Sequence, residues 1–133
     1  MMSIRESLKK KSGQAIVEFA LILPVFILML MGLLEFGLFF NSYINVTFAS
    51  KEGARIASLD TNATTQTVES SITATMPSSG TVTVTVSPPA PRVTGATVTV
   101  TVTRQHTFMT PIISAVVPSN PYTISAVTAM RSE

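Results

Sequence analysis

The chain has 133 residues, room for one small domain and one further element. Its charged fraction of 12% is about half the ordinary value and cysteine is absent, so a highly charged soluble enzyme, disulfides and thiol chemistry are excluded. Arg5, Lys9, Lys10 and Lys11 and the lone Glu6 lie within residues 1–13, leaving 5 basic and 6 acidic groups beyond them; the basic pI of 9.3 belongs to a leader and implies no nucleic-acid partner.

Behind that leader stands Gly13-Gln14-Ala15-Ile16-Val17-Glu18-Phe19. A glycine after basic residues, with glutamate five positions later and then an aromatic residue, is the pattern cut by prepilin peptidases. From Phe19 to Phe40 the chain then runs 22 residues with a single charge, Glu35. At about 1.5 Å per residue this is roughly 33 Å of helix, enough to cross a hydrocarbon core of about 30 Å. The run is too long for the apolar core of a secretory signal, and Thr47-Phe48-Ala49-Ser50 is a poor signal-peptidase site. The positive flank places the N-terminus in the cytoplasm and residues 41–133 outside, in a single-pass topology.

Three residues of this region stand out. Pro24 removes one helical hydrogen bond and predicts a kink that could serve subunit packing. Glu18 lies one helical turn from Gln14, so after cleavage its carboxylate can pair with the new α-ammonium, on the same chain or a neighbour. Glu35 lies about 8 Å inside the outer end of the apolar run. No basic residue is within one turn of it, so the expected partner is another chain, unless the carboxyl is protonated.

Phe40, Ile44 and Phe48 recur every four residues, which predicts that the helix continues beyond the bilayer to about Ser58. Residues 60–66 read as a loop. Val68, Ile72 and Met76 share one face of a short helix ended by Pro77 and Gly80. Thr-Val alternation predicts strands at 81–87 and 96–107, with valines inward and threonines outward, separated by the proline-rich turn 88–91. Pro111 and Pro118 bracket an apolar patch, and Tyr122 to Arg131 reads as a last strand. The expected fold is α+β: a long N-terminal transmembrane helix followed by a small, mostly antiparallel three-stranded sheet with a short helix. The expected divisions are a cytoplasmic leader at 1–13, a transmembrane and extended helix at 14–58, and an extracytoplasmic domain at 59–133.

Catalytic groups are scarce. His106 is the one histidine and reads as a solvated residue at a strand end; Asp60 is the one aspartate. No metal cluster, phosphate loop or nucleophile motif is visible, so neither metal nor cofactor is expected and the chain reads as an enzyme's substrate rather than an enzyme. An alternative reading is an uncleaved single-pass membrane protein whose outer domain binds or scaffolds a partner.

Three blocks together resemble the TadE-like family of the tight adherence (Flp-type) pilus systems: Gly13 to Leu21 with Pro24, Glu35-Phe36-Gly37, and Ala49-Ser50-Lys51-Glu52-Gly53-Ala54-Arg55. The resemblance implies a minor pilin or pseudopilin cut after Gly13, with Gln14 as the new N-terminus and Glu18 and Phe19 needed for recognition. It implies as partners the prepilin peptidase, other pilin or pseudopilin subunits, the inner-membrane assembly platform and the lipid bilayer. The implied location is the cytoplasmic (inner) membrane or, after assembly, the extracellular pilus.

Overall fold

The computed structural model describes the backbone of residues 4–76 and 81–133, and the side chains of 13–76, 81–111 and 113–133. In chain order the elements are α1 (Ile4–Leu59), α2 (Thr65–Thr75), β1 (Val82–Ser87), β2 (Thr97–His106), α3 (Pro111–Val116) and β3 (Tyr122–Arg131). The architecture is α+β, as the periodicities predict.

α1 is one continuous helix that passes through Pro24. It begins before the predicted spine, at Ile4, because Arg5, Glu6, Leu8 and three lysines of the leader favour helix and Gly13 alone does not end one. Through its first part the apolar stretch is bare: every side chain from Ile16 to Met31 is exposed. A bare hydrophobic cylinder of this length is the surface of a lipid-embedded segment, and α1 is the one helix among the described residues long and apolar enough to cross a membrane.

Farther along, one stripe of α1 turns inward. Glu35, Ser42, Val46, Ala49, Ser50, Gly53, Ala54, Ala57 and Ser58 are all buried and recur at three- and four-residue spacing. Small side chains dominate this stripe, so the sheet can approach the helix closely. Phe40, Ile44 and Phe48, the periodic residues that announce the helix in the sequence, lie instead on its exposed side.

The sheet has the order β1-β2-β3 and is antiparallel throughout. Its register pairs Val84 with Val102, Val86 with Val100 and Val98 with Met130. Val84, Val86, Val98, Val100, Val102 and Ile124 face α1 and α2 and are buried, while Thr83 and Thr85 point to solvent. α2 starts within the predicted loop, at Thr65, because the Thr64 hydroxyl caps the amide of Thr67 at 3.2 Å. Val68 and Ile72 complete the core from α2; the predicted stop signals Pro77 and Gly80 lie outside the described residues. The apolar patch after Pro111 is helical, α3, with the proline in its first turn where no amide partner is required.

Two further features lock the layers. The Gly53 Cα stands so close to α2 and β2 that an added Cβ would lie 2.7 Å from Ile72 Cδ1 and 3.1 Å from Val100 Cγ1. Arg92, buried in the turn after β1, donates to the carbonyls of Ala57 (3.2 Å), Asp60 (3.3 Å), Ala63 (2.8 Å) and Pro88 (2.9 Å). These include the Ala57 carbonyl in the last turn of α1, and a cation there also complements the helix dipole.

Candidate functional site

The sequence-predicted residues fall in two places on α1. At the first, Gly13 sits within the helix with open space around it, and the Gln14 side-chain amide donates to Glu18 Oε1 at 3.3 Å. The two residues are therefore within reach across one turn. Phe19 is exposed on the next position. Pro24 follows, also exposed, about 9 Å farther along the axis than Glu18 at helical rise.

Glu35 occupies the second place, about 26 Å along the axis from Glu18, so the structure does not bring the two carboxylates together. Only 5% of its surface is exposed. Its partners are main-chain amides of the same chain, which replaces the expectation of a partner from another subunit. Met109 N–H donates to Oε1, and Thr110 N–H donates to Oε1 at 3.2 Å and Oε2 at 3.0 Å. A carboxylate bridging two adjacent amides, just ahead of α3, fixes the β2–β3 connection against the helix. A search for a charged partner within one helical turn could not find it, because the donors are backbone groups more than 70 residues away.

Around this anchor lies an aromatic cluster. Phe39 meets His106 edge-on at 5.5 Å between ring centroids, Phe108 at 5.8 Å and Tyr122 at 5.9 Å. His106 is thus half-buried among rings rather than solvated, because β2 delivers it onto the inward stripe of α1. Its Nδ1 lies 3.3 Å from Ser42 Oγ. Burial pushes the imidazole below its usual value; Glu35 opposes that shift and Arg104 adds to it. The Ser42–His106 contact ties α1 to the end of β2, and the Glu35 contacts tie α1 to the β2–β3 connection.

The third block, from Ala49 to Arg55, forms the contact between spine and sheet. Ser50 Oγ is 2.8 Å from Thr128 Oγ1 on β3, and Gly53 and Ala54 are buried. Lys51 and Arg55 face outward, Arg55 in an exposed ion pair with Glu52 at 2.6 Å that holds the Glu52 carboxyl below its usual value. Arg92, which no motif announces, is a buried charged residue that the sequence left unread; its place after a proline-rich turn gives no signal of four carbonyl partners.

These three regions coincide with the comparison to known families. A family model described as TadE-like protein matches residues 13–55, from the Gly13 motif through Glu35 to Arg55. No curated protein and no solved structure matches the chain. Over its spine, from Gly13 to Arg55, the chain is similar to TadE-like proteins.

Proposed function

We propose that the chain is a minor pilin or pseudopilin of a Tad (Flp-type) pilus system, cut by prepilin peptidase after Gly13 and assisting pilus assembly and surface adhesion. The observation that carries this reading is the Gly13–Phe19 motif, placed between a basic leader and a bare apolar helix within the TadE-like match. The chain is a substrate of the peptidase rather than an enzyme. Its leader is cytoplasmic, its folded part extracytoplasmic, and its partners are other pilin-like subunits and the inner-membrane assembly platform.

The geometry supports the cleavage step physically. The Gly13–Gln14 bond lies inside α1, and a protease needs that backbone unwound. Glycine lowers the cost of local unwinding by about 1 kcal/mol relative to alanine, and the open space at Gly13 leaves the bond approachable. After cleavage the Gln14 ammonium stands one turn from Glu18, where a carboxylate near the lipid boundary gains a cationic partner.

The test is N-terminal sequencing of the protein recovered from membranes of cells with and without the matching peptidase. Gln14 should be first with the peptidase present, and Gly13→Ala should leave the precursor uncut and piliation reduced. An intact leader in the presence of active peptidase rejects the proposal in favour of an uncleaved single-pass protein with a partner-binding outer domain.

A further inference from the structure

We propose that the β2–β3 connection, residues 107–119 including α3, is embedded among lipid acyl chains beside α1, giving the folded domain a second membrane contact. The inference rests on the single-pass reading of α1 and goes beyond pilin function.

The first support is depth. The apolar run of α1 ends at Phe40, and Glu35 lies five residues inside it, about 8 Å at helical rise. Met109 and Thr110 donate directly to Glu35, so the connection reaches down to the same level. Keeping it in water would require withdrawing Phe36, Leu38 and Phe40 into water too, and all three are exposed on the helix.

Composition is the second. From Gln105 to Met130 the chain has no Asp, Glu, Lys or Arg. Met109 and Val116 are 85% and 79% exposed, large apolar groups turned away from the protein at the tip of the domain. Between this tip and α1 lies an open, mainly apolar groove of about 330 Å³, whose walls include Met31, Leu34, Leu38, Met109 and Pro111 together with the polar Glu35, His106, Thr107 and Thr110. The groove walls continue the lipid-facing surface of α1, so the occupant they fit is an acyl chain.

Backbone chemistry is the third and most specific. Irregular backbone is tolerated at membrane depth only where its polar groups find partners within the protein. Here Glu35 takes the amides of Met109 and Thr110. Asn120 takes both main-chain groups of Phe108, its Oδ1 accepting from the amide at 3.1 Å and its Nδ2 donating to the carbonyl at 3.2 Å. Ser114 and Val117 N–H donate to Thr110 and Ile113 carbonyls, and Pro111, Pro118 and Pro121 carry no N–H. The amides of Phe108, Met109, Thr110, Ser114 and Val117 thus find partners within the protein, more than a solvated surface loop needs.

The chain contains no tryptophan, so single tryptophans report cleanly. Full-length Met109→Trp, Val116→Trp, Phe26→Trp and Val127→Trp would each be reconstituted in phosphatidylcholine vesicles with acyl chains brominated near the headgroup, and separately near the bilayer centre. Phe26 reports the middle of the span and Val127 the exposed part of β3. Met109→Trp and Val116→Trp should emit at short wavelength, resist aqueous iodide and lose intensity most to the shallow bromines, as for burial of roughly 5–10 Å. Val127→Trp should be quenched by iodide alone. Tip probes that behave like Val127→Trp, while Phe26→Trp is quenched by lipid, overturn the proposal and leave the single-pass reading intact. Tip probes shielded from both quenchers are covered by a second copy of the chain, which also overturns it. Val127→Trp quenched by lipid means general adsorption of the domain, again against it. If Phe26→Trp escapes the bromines, the membrane span itself fails and this proposal falls with it.

Discussion

Replacing Arg92 with methionine removes a buried guanidinium while keeping an unbranched stem of comparable reach. The donors to Ala57 and Ala63 carbonyls are fully buried, those to Pro88 and Asp60 partly so. Hydrogen bonds from a charged donor contribute about 1.5–3 kcal/mol each, so the two buried ones together represent roughly 3–6 kcal/mol. Relief of the cation's own desolvation and retained stem packing offset part of that, giving an expected loss of about 3 kcal/mol. A domain this small unfolds in urea with a slope of about 1 kcal/mol/M, so its midpoint should fall by about 3 M. Pulse proteolysis of the full chain in detergent across a urea series reads that midpoint. Arg92→Lys, which keeps the charge but cannot reach several carbonyls at once, should fall between parent and methionine variant. A methionine variant within about 0.5 kcal/mol of the parent, the range of ordinary surface changes, would refute the clamp.

Three further outcomes follow from the same contacts. Glu35→Leu strands the amides of Met109 and Thr110 at about 1–3 kcal/mol each, so hydrogen exchange at those two amides should accelerate while Val100 stays protected; unchanged exchange would show that Glu35 is not their anchor. Gly53→Ala should destabilise by about 1 kcal/mol, overpacking against Ile72 and Val100 outweighing improved helix propensity, whereas Gly37→Ala, with open space at its Cβ, should not. Stability should also depend on His106. Its folded pKa is depressed, so the unfolded chain binds the proton more readily: its contribution is complete above the ordinary value of 6.5 and declines as pH falls below it, until the folded imidazole protonates too. His106→Gln should flatten that part of the pH–stability profile, and an identical slope in parent and variant would assign the dependence elsewhere.

Much of the fold is legible in the residues because its periods are unambiguous. Strict Thr-Val alternation can bury only one set, and the register of β1 on β2 follows it, valine opposite valine. The inward face of α1 is a different matter. Large residues announce the helix, but Phe40, Ile44 and Phe48 lie on its exposed side, and the buried stripe is written in Ser, Gly and Ala, which carry almost no hydrophobic signal. Close approach of a sheet, not side-chain size, decides that face. α3 was beyond reach for another reason: six residues are too few for a 3.6 period to repeat, so Pro111 to Val116 read only as apolar. The Gly13–Phe19 motif is legible because its spacing is local. Glu35, His106 and Arg92 acquire their surroundings from distant chain, Glu35 and Arg92 from backbone groups, and a carbonyl or amide has no letter in the sequence.

The stretch of α1 from Ser42 to Ser58 is both the way out of the lipid and one wall of the folded core, with Glu133 N–H closing on the Ser58 carbonyl at 2.9 Å. No tether intervenes between anchor and payload. Drawing the shaft outward by one turn, about 5.4 Å, must raise the whole sheet by that distance, and twisting it must swing the sheet around the same axis. Force applied at the lipid end is therefore delivered undamped to whatever grips the far end.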